Sequence, residues 1–265
     1  MIQHILKNRS NVLFIILGGF FVANALLAEV IGVKIFSLED TFGLPRANMP
    51  LFGSPFSFHL TAGVLLWPVV FIMTDIINEY YGPKGVRFLS YLAMGLISYS
   101  FIIYNAAIGL APSEYFSIGN GINDPNAAFR GIFGQGLWII IGSIVAFGIG
   151  QLLDVFVFHR IKRITGEKNI WLRATGSTLV SQLVDSFVVL FIAFYVGKRI
   201  QTGQGDPWSL HQVLVTGTGN YIYKFVIAIV LTPVIYLVHG WIEKYLGHET
   251  AAKMKQAAMG KEAEL

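Results

Sequence analysis

The sequence contains no cysteine, which excludes a disulfide framework and any thiolate metal site. Charge is scarce as well. Only 13% of the 265 residues are Asp, Glu, Lys or Arg, about half the share found in a soluble domain. Several signatures of soluble catalysis are missing. There is no Gly-x-x-x-x-Gly-Lys-Ser/Thr phosphate loop, so ATP drive of that kind would require a separate chain, and neither a His-Glu-x-x-His zinc motif nor a Gly-x-Ser-x-Gly nucleophile elbow occurs. The net charge of +4 calls for no nucleic-acid partner.

Apolar sequence dominates instead. Hydrophobic residues make up 54% of the chain and the mean hydropathy is +0.62, values of an integral membrane protein whose partner is the lipid bilayer. The apolar runs reach the roughly 20 residues that a helix needs to cross a bilayer, and they lack the alternation of an outer-membrane barrel strand. The pattern predicts an all-α bundle of six transmembrane helices, over 11–33, 56–79, 86–108, 137–158, 178–197 and 212–238. The first follows Lys7 and Arg9, but its apolar core is too long for a signal peptide and no small-residue cleavage site follows, so it is expected to remain.

Lys and Arg concentrate near the amino terminus, in the turn after Gly82, after residue 247 and above all in the fourth loop, with Arg160, Lys162, Arg163, Lys168 and Arg173. That bias predicts cytoplasmic termini, and the fourth-loop charges read first as topogenic. Residues 1–247 read as one transmembrane domain and 248–265 as a polar cytoplasmic tail. Loops 34–55 and 109–136 fall outside, rich in Gly, Pro, Asn and Ser. Tyr80-Tyr81-Gly82-Pro83-Lys84-Gly85 is a tight turn, which makes spans two and three an antiparallel hairpin. Gly142, Ala146 and Gly150 form a small-residue face suited to close helix packing, within the chain or in a homodimer. Pro68 and Pro233 fall inside predicted spans as kink candidates, and 216–220 (Thr-Gly-Thr-Gly-Asn) as a candidate unwound segment.

Against this apolar background the polar residues stand out. Asp75, Asn78 and Glu79 share one helical face at i, i+3, i+4; Gln151 and Asp154 share another, as do Gln182 and Asp185, and Asn220 and Lys224. Intramembrane charge is costly and marks a functional site by default. Each group also has a bland reading: Lys224 neutralising Asp185 or Asp75, Asp154 pairing with Arg160, Glu79 reaching interfacial water. The mixture of Asp, Asn, Gln and Lys suits a polar solute better than the activation of one water, although two aspartates sharing a proton would be the start of an intramembrane aspartyl enzyme. A substrate-binding subunit served by a separate ATPase, and an assembly protein whose charges merely pair, complete the alternatives.

The run 67–82, with Trp67-Pro68 and Thr74-Asp75-Ile76-Ile77-Asn78-Glu79-Tyr80-Tyr81-Gly82, resembles the hallmark of the queuosine precursor transporter family, also described as vitamin uptake transporter-like proteins. Ala128-Phe129-Arg130, Gln151-Leu152-Leu153-Asp154, the run 173–186, Asn220-Tyr221-Ile222-Tyr223-Lys224 and Thr232-Pro233 resemble successive blocks of the same family. Asn24 fits the pattern, whereas Glu29 departs from it. The resemblance implies no enzyme and no cofactor or metal. It implies a carrier that imports the cyano and aminomethyl 7-deazaguanine precursors of queuosine across the bacterial inner membrane. The candidate substrate-binding residues are those of the polar faces, Asp75, Asn78, Glu79, Gln151, Gln182, Asp185, Asn220 and Lys224. A guanine-like edge presents two adjacent N–H donors that one carboxylate, Asp185 or Glu79, can accept, and a carbonyl that needs a donor such as Gln182, Asn78 or Lys224, with Asp75 as a second carboxylate for the cationic aminomethyl group.

Overall fold

The computed structural model describes residues 7–119, 121–134, 137–166, 170–200 and 206–258; Lys168 and the tail beyond Ala258 lie outside them. The fold is all-α in its spans, and among the described residues five helices are long and apolar enough to cross a membrane. Helix α1 (Arg9–Ile31) starts at Asn8, whose side chain accepts from the Ser10 amide. Residues between Lys34 and Leu65, expected as loop and as the start of span two, fold differently. They form strand β1 (Ile35–Ser37), a helical turn α2 (Leu38–Thr41), strands β2 (Met49–Leu51), β3 (Ser54–Phe56) and β4 (His59–Thr61), and a 3-10 turn Ala62–Leu65. β1 pairs with β4 and β2 with β3, both antiparallel. Phe52 and Gly53, both at positive φ, join β2 to β3 as a two-residue turn of the type that matches strand twist.

Helix α3 (Trp67–Ile108) is broken at Gly82, where φ is 69° and ψ −173°. That conformation favours glycine, and Pro83 follows as the first residue of the second arm. The chain doubles back there. Oγ1 of Thr74 and Oγ of Ser90 both donate to Oε1 of Gln151, at 3.2 and 3.3 Å, whereas sixteen residues of continuous helix would separate them by about 24 Å. The hairpin expected from the Gly82-Pro83 turn is therefore present. Its arms bury Val70, Ile76, Ile77, Val86, Leu89 and Ile97 in one core with Leu17, Phe21 and Ala25 of α1.

A short helix α4 (Pro125–Phe133), capped by Asp124, sits in the second long loop. Helix α5 (Leu137–Thr165) follows. Helix α6 (Ile170–Leu190) then continues as a π-helical segment Phe191–Gly197 and a final turn α7 (Lys198–Ile200). α5 and α6 pack tightly along the small-residue face: a Cβ on Gly142 would lie 3.1 Å from the Val189 carbonyl oxygen. Because α6 starts at Ile170, Arg173 belongs to a helix and not to the fourth loop, and because α5 runs to Thr165, so does Lys162.

The sixth apolar run is two helices, α8 (Leu210–Val230) and α9 (Thr232–Leu246), separated at Leu231. Ser209 and Gln212 cap α8 reciprocally. Pro68 and Pro233 each occupy the second position of a helix, where the missing N–H costs nothing, and so neither kinks a span. Residues 216–220 are helical, not unwound, and their glycines serve packing: a Cβ on Gly219 would fall 1.9 Å from the Phe56 ring. His211 Nε2 donates to the Phe52 carbonyl at 2.9 Å, which clamps the β2–β3 hairpin over the start of α8. Helix α10 (His248–Ala258) lies against α3, with Ala251 and Lys255 buried and Ala258 covering Gly82.

Outside the spans, Glu39 is buried in the β-hairpin region, and its Oε1 accepts from the amides of Phe58 at 2.9 Å and Ala47 at 3.4 Å. Burial pushes its carboxyl up, but those amides together hold it below the usual glutamate value.

Candidate functional site

A cleft opens between the first arm of α3, α6, α8 and the start of α9, the kind of concave apolar site with a few polar groups that small molecules occupy. Trp67, Pro68, Phe71 and Ile72 supply one wall; Tyr223, Ile227, Ala228, Leu231 and Ile235 supply the opposite one. Its polar lining is Asp75, Thr175, Thr178, Gln182 and Lys224. Three of the expected residues, Asp75, Gln182 and Lys224, therefore meet at one cavity.

Three polar groups in that lining have no partner among the described residues: Oδ1 of Asp75, Oγ1 of Thr178 and Nε2 of Gln182. Thr175 instead bonds Thr232 at 3.0 Å. Lys224 Nζ donates to Asp185 Oδ2 at 2.5 Å, a pair with side chains 18% and 21% exposed. Asp185 thus stands behind Lys224 and fixes the ammonium at the cavity edge. Asn220 lies one turn of α8 before Lys224 and is half-buried, outside the cavity lining.

Deeper between α3, α5 and α6 lies a second group of polar atoms. Asn78 is fully buried and neither its Oδ1 nor its Nδ2 has a hydrogen-bond partner among the described residues; the same holds for Nε2 of Gln151, Oδ2 of Asp154 and Oγ of Ser186. Asp154 Oδ1 accepts from Ser181 at 3.4 Å, so its contact is a hydroxyl, not the expected Arg160. Buried polar atoms are almost always paired. A concentration of orphans beside a cavity marks a place where a polar ligand would complete the bonding.

Glu79 has a different environment. Arg173 grips it bidentately, Nε to Oε2 at 3.0 Å and Nη2 to Oε1 at 2.7 Å, and Lys162 Nζ lies 3.2 Å from Oε2 and donates to the Glu79 carbonyl at 3.2 Å. All three side chains are at most 1% exposed. Next to this cluster Tyr80 Oη meets His239 Nδ1 at 3.0 Å. Glu79 does not line the cavity; it ties α3 to α5 and α6. Such a cluster fixes geometry more than it adds stability, because desolvating three charges offsets much of their attraction.

The sequence reading passed over Thr175 and Thr178 because Thr is common in apolar helices. Their spacing with Gln182, at i, i+3 and i+7, was the available signal. Trp67, Phe71 and Tyr223 were indistinguishable from ordinary core or interface aromatics until the cavity was seen.

Residues 61–238 match the family described as "Putative vitamin uptake transporter". A "Probable queuosine precursor transporter" of Bacillus subtilis (strain 168) is 31% identical over 199 residues, 74% of this chain and 79% of that protein. A protein of the same description from Haemophilus influenzae is 29% identical over 178 residues, 66% of each chain. The "Queuosine precursor transporter" of Escherichia coli (strain K12) is 26% identical over 174 residues, covering 65% of this chain and 69% of its own. No solved structure matches the chain.

Proposed function

The chain belongs to the vitamin uptake transporter family, and from that premise we propose that it carries queuosine precursors, 7-cyano-7-deazaguanine and 7-aminomethyl-7-deazaguanine, across the bacterial inner membrane. Family membership makes it a multi-pass membrane transporter and not an enzyme. The names of its relatives supply the substrate class. The observation that carries the reading within this chain is the set of unpartnered polar atoms at an otherwise aromatic and aliphatic cleft.

In this reading Asp75 accepts the ring N–H and exocyclic amino group of the guanine-like edge, and Gln182 Nε2 donates to its carbonyl. Trp67, Phe71 and Tyr223 face the flat ring. Thr178 supplies a further hydroxyl. Lys224, held by Asp185, sets the rim, while Asn78 and Gln151 support the floor and Asn220 the approach along α8. Glu79 acts at a distance, by fixing the arm of α3 that bears Asp75. The bundle has six spans when 67–81 and 83–108 count separately, with cytoplasmic termini, as the Lys and Arg distribution supports. Alternating access follows from rocking the α3 hairpin against α6 and α8 around the cleft.

The test is uptake into cells unable to make either base, read as queuosine in tRNA, with and without this chain. Restoration by the wild type at low external base, and its loss in Asp75→Asn at equal membrane expression, is the expected result. No restoration by a correctly inserted wild type refutes the reading.

A further inference from the structure

Resting on the carrier reading of the cleft, we propose that the β2–β3 hairpin is the carrier's outer gate and that Phe56 is its plug. With the termini on the inner side, α8 runs inward from Leu210. Its cleft-lining residues begin at Tyr223 and Lys224, and Gly217 and Gly219 lie about one to two turns outward of them. At that level two rings rest on the α8 backbone, Phe187 of α6 against Gly217 and Phe56 of β3 against Gly219, and neither glycine has room for a Cβ. The Thr-Gly-Thr-Gly-Asn run of α8 is thus a pair of sockets, and the rings seated in them close the outer end of the cleft.

The two rings differ in what carries them. Phe187 belongs to a helix packed along α5. Phe56 is 7% exposed, but the arm that bears it is open to solvent at Pro50, Phe52, Gly53 and Pro55. The root of that arm is fixed. Glu39 Oε1 accepts from the amides of Ala47 and Phe58, just beyond the two strands, and Ser57 Oγ donates to Asn48 Oδ1 at 3.4 Å. The tip is held lightly, by the exposed hydrogen bond from His211 to the Phe52 carbonyl. A two-stranded arm pinned at its root, and kept down by one ring and one exposed hydrogen bond, lifts as a unit. The cleft wall stays behind, because Gly63, just ahead of Val64 and Trp67, packs directly on the Ala28 carbonyl of α1. Lifting Phe56 opens the cleft to outer water between Gly219 and that wall, and reseating it shuts the base in.

The absence of cysteine lets introduced thiols report on this without background. Ile227→Cys places a thiol in the cleft lining, and in spheroplasts a membrane-impermeant maleimide is offered to it from outside. With the open form a minor state of about 0.1–10%, labelling is slow, and Phe56→Ala should speed it at least about tenfold. Labelling that Phe56→Ala leaves unchanged overturns the proposal. A second measurement keeps Phe56, and so stands even where Phe56→Ala lowers expression. Phe52→Cys and Leu210→Cys, at exposed positions beside the His211 hydrogen bond, are joined by a reducible bismaleimide. Joining should stop uptake of 7-cyano-7-deazaguanine, and reducing the linker should restore it. Uptake that continues through the joined hairpin overturns the proposal. No uptake by the unjoined chain would instead count against the substrate reading, with the labelling result, which needs no substrate, still deciding the gate.

Discussion

Replacing Glu79 with Gln would separate architecture from substrate recognition. The amide keeps the shape of the side chain but removes the carboxylate that Arg173 and Lys162 both face, with both cations at most 1% exposed. Removing one partner of a buried ion pair costs about 3–5 kcal/mol, because the surviving charge is left without compensation. Here two cations lose this carboxylate, so the upper end of that range applies, or roughly four orders of magnitude in the folded population. A triple variant, Glu79→Leu with Arg173→Met and Lys162→Met, removes the charges together and should recover most of the loss. The assay is thermal unfolding of the detergent-solubilised protein beside its yield in membranes. Glu79→Gln should lower both sharply, and the triple variant should restore them. A Glu79→Gln protein of wild-type stability that had lost uptake would refute the argument and make Glu79 a direct contact of the base.

Gly219→Ala should destabilise the protein by about 1–3 kcal/mol through overpacking, since its Cβ would meet the Phe56 ring at 1.9 Å; thermal unfolding reads the loss, and Phe56→Leu should relieve it. Lys224→Met should abolish uptake at near-normal expression, because the pair it leaves is one-fifth exposed and Asp185 can recruit water; unchanged uptake would remove Lys224 from the site. The folded Glu39 carboxyl is held low, so its contribution is complete above the usual glutamate range and disappears as pH falls through the folded value. Hydrogen exchange at the Phe58 amide should therefore stay slow at neutral and mildly acid pH and accelerate at lower pH, while Glu39→Ala should exchange fast throughout. A base lacking the exocyclic amino group forfeits one of the two bonds to Asp75 and should compete roughly ten- to a hundredfold less well.

Hydropathy marked out the all-α membrane class and the long apolar helices because bilayer thickness sets their length, and the Gly82-Pro83 turn was legible because few residues other than glycine adopt its φ. The β-hairpins over 35–61 were not, since strands of three residues in a loop carry too little alternation to register. Arg173 and Lys162 were misread for a different reason. Charge near a span end usually meets lipid headgroups, and nothing in linear spacing reveals that a carboxylate ninety residues upstream faces them. The carboxylate face at Asp75, Asn78 and Glu79 was recognised as special, yet its division of labour depended on neighbours from three other helices. Asp75 turns to the cleft while Glu79, one turn on, is locked away.

The docking of α10 on the α3 turn has a consequence for biogenesis. Ala258 covers Gly82, and at roughly 5–20 residues per second the ribosome needs on the order of ten to thirty-five seconds to travel from one to the other. Every span is made before the helix that covers the α3 turn exists. The turn must wait, uncovered at the membrane surface, for a helix made after the bundle. Defects in α10 should then spare insertion and appear late, as a fully threaded protein whose uncovered α3 turn fails quality control, and a bulky fusion close behind Ala258 would be expected to produce the same phenotype.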